Sequence, residues 1–335
     1  MCTVFKLQTD EGSKFIVGKN YDTPDPCYGM IFTNQRNIEK KALILQPEIP
    51  KQWKSSLGSI TFSQVGKEFP SCGMNEAGLI VEQTTLWNTV YPDRDHRPAV
   101  KELQWIQYML DTCATVDEVI DSLSELRVAQ EAARIQYFVC DKTGDCALIE
   151  YVLGKEVIFR NEELPYPVIA NDMYQTSVNY LRIHRGYGGK KELTKSSFSI
   201  DRFAITVNEI ENRKDNRRID RELEEGFFIL QQSEFEQTQW QVIYQPYTKT
   251  MGYRSKRSTQ LKMIHLGEFD FSEQGKSLVK DIEADQSEAF RIFSTEINDQ
   301  LAKSFFTTNT LGKTVKVTEE LILGFADYPE TQKER

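Results

Sequence analysis

The sequence predicts a single α+β domain over residues 1–335, and three observations carry this prediction. Segments in which apolar residues recur at every second position, as they do in β-strands, dominate the N-terminal half. Helical patterns come in neighbouring pairs between blocks of strands, an order that favours α+β layers over a βαβ sheet. No repeat, low-complexity segment or linker divides the chain.

The first elements are predicted to form a β-hairpin, because TVFKLQ and KFIVGKN flank the turn TDEGS. Further strands are predicted at ALILQP, GSITFSQV and GLIVEQTT. A helix should then begin after Pro98, within PAVKELQWIQYMLDTCA. A second helix should follow at once, since Thr115 and Glu118 form a capping box ahead of VIDSLSEL.

The second half repeats this order of strands and helices. Strands resume in RIQYFVCD, DCALIEYV and KEVIFR, which the turns DKTGD and LGK separate. From Asn171 to about Leu230 the pattern is helical again, in SVNYLRIHR, SIDRFAITVNEIEN and LEEGFFILQQ. TQWQVIYQPYTKTMGYRSK and QLKMIHL return to strand, and at least one amphipathic helix is predicted in the C-terminal tail.

Composition excludes several classes of function. The formal net charge is −9, whereas a nucleic-acid binder needs a basic face that neutralises phosphates. Six cysteines without CxxC spacing and three distant histidines offer no zinc-ligand set, so neither a metal nor another cofactor is expected. No apolar run approaches the roughly 20 residues that cross a bilayer. Because no apolar signal region precedes Cys2, we expect a cytoplasmic protein with reduced thiols and no membrane partner.

Cys2, directly behind the initiator methionine, is the main candidate for chemistry. If Met1 is removed, the thiol and a free α-amine belong to the same residue. The neutral amine, whose pKa is ordinarily near ~7.7–8.0, can then take the proton of the thiol. The alternative is that Cys2 is a small apolar residue at the start of a strand.

Such a nucleophile needs groups that orient the amine and favour the thiolate. GKNYD, at the end of the second strand, supplies a cation, an amide and a carboxylate. Strand alternation places Lys19 and Tyr21 on one face of this strand, and Asn20 and Asp22 on the other. Hairpin pairing should bring this end of the strand close to the start of the chain.

Six segments occur in a familiar order: MCT, GKNYD, GMNEAGL, VIAND, SSFSIDRF, and TQWQVIYQP with the YRS that follows it. Together, over about residues 1–270, they resemble the choloylglycine hydrolase and penicillin V acylase family of N-terminal-nucleophile amidases. The resemblance implies a four-layer αββα sandwich, in which helices cover two stacked antiparallel sheets. It also implies a homotetramer.

The resemblance assigns roles to individual residues. Cys2 would be the nucleophile, and Asp22 would hold its α-amine and thiol. Asn171 would donate a hydrogen bond to the oxyanion, and Arg202 would lie near the thiolate and the substrate. From the residues alone, Asn171 would be the N-cap of the following helix, and Arg202 an exposed helix cation or a partner of Asp201.

Two positions depart from the family's pattern. Lys19 stands where the family usually has arginine, so the positive charge is kept but the bidentate fork is lost. Thr85 stands where many bile-salt hydrolases have asparagine, and penicillin V acylases often tyrosine, as an oxyanion or substrate contact. A threonine hydroxyl can still donate a hydrogen bond, but this position then assigns no substrate.

The leading prediction is a hydrolase of linear N-acyl amides, small molecules with an apolar acyl group such as a steroid acid, a phenoxyacetyl group or a fatty chain. The reaction would pass through a thioester on Cys2, with the Cys2 α-amine as general base. Two alternatives remain open. One is an acyltransferase, in which an amine instead of water resolves the thioester. The other is a non-catalytic ligand-binding protein on the same fold.

Overall fold

Two antiparallel β-sheets form the centre of the fold, which is known from a computed structural model that describes residues 2–8, 14–24, 28–129, 132–213, 221–314 and 319–331. Met1, the turn predicted at TDEGS and Cys27 therefore lie outside the described residues. In the described ranges the strands are β1 (Cys2–Gln8), β2 (Phe15–Asp22), β3 (Met30–Asn34), β4 (Glu39–Lys41), β5 (Gln52–Lys54), β6 (Ser59–Ser63), β7 (Cys72–Asn75), β8 (Ile80–Thr85), β9 (Ala99–Val100), β10 (Arg127–Val128), β11 (Ile135–Cys140), β12 (Cys146–Val152), β13 (Lys155–Arg160), β14 (Val168–Ile169), β15 (Thr238–Gln245), β16 (Thr250–Ser255), β17 (Lys262–His265), β18 (Leu278–Asp281) and β19 (Arg291–Ile292).

The helices lie outside the sheets and at one end of them. They are α1 (Glu102–Thr112), α2 (Val116–Ser122), α3 (Tyr174–Leu181), α4 (Ser199–Glu211), α5 (Glu222–Gln232), α6 (Thr295–Thr308), α7 (Thr310–Thr314) and α8 (Glu319–Thr331). The predicted capping box is present at the start of α2, where Thr115 and Glu118 each bond the backbone of the other. In the described residues, no helix has the length and apolar character needed to span a bilayer.

The two sheets stack face to face and are covered by helices. The first has the strand order β14-β1-β2-β15-β16-β17, and the second has the order β13-β12-β11-β8-β7-β6-β3-β18-β19. Phe62 of the second sheet packs edge-on against Tyr253 of the first, with 5.8 Å between ring centroids. Helices α4 and α5 pack on the first sheet and α1 on the second. The predicted α+β class and the αββα sandwich are confirmed.

The register of the first hairpin places the end of β2 beside the start of the chain. Cys2 pairs with Tyr21, and Val4 pairs with Lys19. Lys19 reaches Glu82 in the second sheet, whereas Asn20 donates from its side chain to a carbonyl of α5. The predicted division of β2 into two faces is therefore confirmed, and both faces are buried because helices cover one and a sheet covers the other.

Two expectations from the sequence are wrong. ALILQP is not a strand: β4 ends at Lys41, and the amide of Leu43 bonds the Gln104 side chain instead of a neighbouring strand. The thiols are not all reduced, because Cys140 and Cys146 form a disulfide. The turn between β11 and β12 places these two residues directly opposite each other in the ladder. The thiols of Cys2, Cys72 and Cys113 are free.

The C-terminal tail contains a helical pair. Along α6, residues Ala302, Phe305 and Phe306 form one apolar stripe, at the spacing expected of a helix face. This stripe packs with Phe325 of α8 against the loop between β6 and β7, where Phe69 meets Phe325 with 4.4 Å between ring centroids. The amphipathic helix predicted in the tail is confirmed, and it has a helical partner.

Candidate active site

Cys2 lies in the wall of a cavity of about 290 Å³. Tyr21, Asp22 and Thr85 line the same cavity, so the start of β1, the end of β2 and the end of β8 meet there. The Cys2 residue is only 3 % exposed. The cavity therefore gives a small molecule access to a side chain that is otherwise enclosed.

The backbone of Cys2 is held on both sides. Its nitrogen donates a hydrogen bond to Oδ1 of Asn171, at 2.9 Å. Its carbonyl oxygen accepts one from the guanidinium of Arg202, at 2.8 Å. These two bonds fix the orientation of the residue from which the thiol projects.

Arg202 connects the parts of this site. It projects from the first turn of α4, has no exposed surface, and donates to Oγ1 of Thr3 at 2.6 Å and to Oδ1 of Asn171 at 2.6 Å. Its guanidinium also lies 3.3 Å from Oδ2 of Asp22. Burial lowers the pKa of Arg202, and the nearby Asp22 and Cys2 only partly oppose this shift. The reading of Arg202 as an exposed helix cation is wrong.

Asn171 is fixed by neighbours on three sides. Its side-chain nitrogen donates to the carbonyl oxygen of Thr85 at 2.8 Å, and its backbone nitrogen donates to Oγ of Ser199 at 2.6 Å. It is not the N-cap of the following helix, because Met173 occupies that position of α3. A primary amide has two N–H groups, and the bond to Thr85 uses one of them.

Asp22 is a buried carboxyl group with polar neighbours. It accepts a hydrogen bond from Oγ1 of Thr238 at 2.7 Å and pairs with Arg202. Burial raises the pKa of Asp22, although Arg202 and Thr238 act in the opposite direction. Asp22, Asn171 and Arg202 thus form one hydrogen-bonded group around the backbone of Cys2.

Lys19 occupies the other face of β2, between the two sheets. Its ammonium lies 2.6 Å from Oε2 of Glu82 in β8, and neither side chain has any exposed surface. Burial alone would lower the pKa of Lys19, but Glu82, Cys72 and Cys2 raise it by more, so the lysine stays charged. Since Lys19 pairs with Val4 in the ladder, it is the diagonal neighbour of Cys2 on the same face.

Thr85 takes part in the site through its backbone, a contact that the identity of its side chain does not predict. Its backbone oxygen holds the amide of Asn171, and the half-buried residue also lines the cavity. The structure thus gives Thr85 a positioning contact through the backbone, whatever its hydroxyl does with a substrate.

Four further residues of this site were not singled out from the sequence. Thr3, Ser199 and Thr238 bond the site residues with their hydroxyl groups, and Glu82 pairs with Lys19. Ser199 and Thr238 belong to SSFSIDRF and TQWQVIYQP, two of the segments that carry the resemblance to the family, so the sequence offered a signal for both residues. Glu82 is an acid within a buried strand, which is itself a signal for a partner of opposite charge.

No metal site accompanies this group in the described part of the chain. There, no three side chains of histidine, cysteine, aspartate or glutamate are grouped so as to hold a metal ion.

Comparisons with known proteins identify the family of this chain. Residues 2–207 match the linear amide C–N hydrolases of the choloylglycine hydrolase family. A penicillin V acylase from Pectobacterium atrosepticum is 28 % identical over 192 residues, which cover 52 % of this chain; the chain spans half the length of that relative.

Solved structures show the same fold. Penicillin V acylase from Agrobacterium tumefaciens aligns with a TM-score of 0.75 and 21 % identity, over 88 % of this chain and 98 % of that one. A cysteine-to-alanine variant of the conjugated bile acid hydrolase from Clostridium perfringens aligns with a TM-score of 0.68 and 16 % identity, over 88 % of this chain and all of that one. The chain belongs to the choloylglycine hydrolase family of linear amide C–N hydrolases.

Proposed function

We propose that this protein hydrolyses small linear N-acyl amides with Cys2 as an N-terminal nucleophile. The observation that carries the proposal is the position of Cys2: its nitrogen is held by Asn171, its carbonyl by Arg202, and the residue lines a cavity. After removal of Met1, that nitrogen would be an α-amine held beside the thiol. An amine in this place can serve as the base that the thiol needs.

In the first half of the reaction, the neutral α-amine takes the proton from the Cys2 thiol, and the thiolate attacks the amide carbonyl. The second N–H of Asn171 donates to the oxyanion. The intermediate then breaks its C–N bond, and the α-ammonium gives its proton to the departing amine. The acyl group remains on Cys2 as a thioester.

Water completes the reaction. The α-amine takes a proton from the water molecule as it attacks the thioester, and returns the proton to the departing thiolate. Lys19 supports the reaction from the face of the hairpin that it shares with Cys2, by placing a positive charge diagonal to Cys2. Asp22, held by Arg202 and Thr238, orients the α-amine.

The relatives are a penicillin V acylase and a conjugated bile acid hydrolase, so the first substrates to test are penicillin V, glycocholate, taurocholate and an N-acyl homoserine lactone. Intact mass should show whether Met1 is absent from the purified protein. Protein without Met1 should release amine from at least one substrate, and mass should reveal an acyl group on Cys2.

Cys2→Ala should lower turnover by at least about 10³-fold, since the nucleophile is removed. Cys113→Ala is the matched control, because Cys113 is a buried free thiol that does not line the cavity. Turnover that survives in Cys2→Ala, or protein that is active with Met1 retained, contradicts this mechanism.

A further inference from the structure

The cavity at Cys2 has a wall that comes from the C-terminal helices. Phe305 and Phe306 of α6 and Phe325 of α8 line it, together with Val65 and Phe69 from the loop between β6 and β7. All five lie in one aromatic-rich cluster, in which Phe306 and Phe325 have ring centroids 5.2 Å apart. These helices lie beyond residue 207, where the match to the family ends.

We propose that this aromatic wall binds the acyl group of the substrate and sets its size, an inference that rests on the hydrolase function proposed above. The cavity is continuous from Cys2 to the phenylalanines, so a thioester on Cys2 would place its acyl chain against them. Phenylalanine rings bind apolar groups and offer no hydrogen bond to a hydroxylated one.

The volume limits the acyl group. An apolar protein cavity of about 150 Å³ binds benzene, which has six heavy atoms. The cavity of about 290 Å³ therefore holds an acyl group of roughly ten heavy atoms. Octanoyl, decanoyl and phenoxyacetyl groups are of this size, whereas a steroid acid is far larger. The structure assigns medium-length or phenyl-bearing acyl groups as the preferred class.

The wall is fixed in place by one buried side chain. Asn298 of α6 has no exposed surface; its Nδ2 donates to the carbonyl oxygen of Ala326 in α8 at 2.7 Å, and its Oδ1 accepts from the backbone of Lys67 at 2.7 Å. The two helices and the loop that carries Val65 and Phe69 are thus joined as one unit. A wall held in this way can select by size.

The test is a series of N-acyl glycines, all of which release glycine: hexanoyl, octanoyl, decanoyl, tetradecanoyl, phenoxyacetyl and choloyl. For the wild type, kcat/KM should rise by up to about fourfold for each methylene that is buried, reach its maximum near octanoyl or decanoyl, and fall at least about tenfold for choloyl. Phe306→Ala should move the maximum toward the tetradecanoyl substrate. Phe305→Ala, at a half-buried position, should do the same with less risk to folding.

Phe293→Ala is the matched control, since this phenylalanine is buried near the start of α6 but does not line the cavity. The proposal is overturned if folded Phe305→Ala and Phe306→Ala keep the wild-type order of substrates, or if choloyl is the best wild-type substrate. It is also overturned if Phe293→Ala changes that order equally.

Binding separates this proposal from the proposed function. Calorimetry should show that decanoate and phenoxyacetate bind Cys2→Ala. Their affinity should change when Phe306→Ala is added to this variant. If no N-acyl glycine is cleaved but these acids bind in this way, the hydrolase function fails and the acyl-binding wall stands. If the acids do not bind, the wall is overturned, even where glycine is released.

Discussion

Lys19 and Glu82 place two opposite charges between the sheets, where neither has access to water. Breaking such a pair is costly because the remaining charge stays buried, whereas removing both charges together costs little. Burial raises the pKa of Glu82, an effect that Lys19 opposes, so loss of the lysine leaves a carboxyl group that favours its protonated form.

Lys19→Met should therefore lower the free energy of unfolding by about 3–5 kcal/mol at neutral pH, and by less at pH 5, where Glu82 can take up a proton. Lys19→Met with Glu82→Leu should recover most of this loss. Denaturant unfolding of the single and double variants measures both effects. A double variant that is no more stable than Lys19→Met would show that the pair is not the cause.

For individual residues, the sequence predicts which side chains belong to the candidate site better than it predicts the contacts that they make. Cys2, Asp22, Asn171 and Arg202 were named from the sequence and lie in contact with one another, and Cys2 and Asp22 line the cavity. The hydrogen bond from the side chain of Asn171 to the backbone of Thr85 joins residues 86 positions apart, and local pattern contains no information about such a pairing. The roles of these residues in the reaction stay predictions until the variants are assayed.

Helix α3 begins two residues after Asp172 without a capping side chain of its own. Instead, Glu150 of β12 accepts a hydrogen bond from the backbone of Tyr174, at 2.7 Å. Glu150 is almost fully buried, and burial raises its pKa from the ordinary 4.5 to about 7. A strand residue thus anchors the start of the helix that follows Asn171.

Because the pKa of Glu150 is higher in the folded than in the unfolded protein, the folded state binds this proton more tightly. Its contribution to stability is complete below the ordinary value of 4.5 and is lost as the pH rises through about 7. Glu150→Gln should remove this loss and be more stable than the wild type at pH 8, by up to about 3 kcal/mol.

Unfolding by urea at pH 5 and pH 8 tests this prediction, because the amide introduced by Glu150→Gln keeps an acceptor for the backbone of Tyr174 but cannot ionise. Glu162→Gln, at an exposed glutamate, is the control and should follow the wild type at both pH values. If the free energy of unfolding depends on pH in the same way in Glu150→Gln and the wild type, ionisation of Glu150 is not the cause of the loss of stability.

Strands and helices were predictable from the sequence where the local pattern and the tertiary contacts favour the same structure. The first hairpin and the capping box of α2 are both set by short stretches of sequence. ALILQP fails because Ala42 and Ile44 pack in the apolar cluster that includes α1, while Leu45 is exposed and the amide of Leu43 bonds a side chain instead of a neighbouring strand. A run of apolar residues indicates that part of a segment packs in a core, but it does not identify the partner of the backbone.

The C-terminal helices join the sandwich through Asn298 and the aromatic cluster, a contact over more than 200 residues. Asn298→Ala should lower the free energy of unfolding by about 2–4 kcal/mol, since buried donors and acceptors lose their partner. Amides of α8 and of Lys67 should exchange faster with deuterium. The exposed Asn179→Ala is the control, and unchanged protection of α8 in Asn298→Ala would contradict this coupling.

The placement of these helices could not be read from the sequence. An amphipathic helix reveals its apolar face, but the surface that receives the face depends on the completed sheets. The layers, in contrast, follow from the order of strand and helix blocks, because each buried face needs a covering layer.

The groups that hold Cys2 all lie in the first two thirds of the chain, whereas three phenylalanines of the cavity wall come from its last tenth. Substitutions of these phenylalanines therefore alter the cavity wall without replacing a residue that holds Cys2. Under the proposed function, a lineage would exchange one acyl group for another by altering a few aromatic positions, while the residues around Cys2 remain as they were.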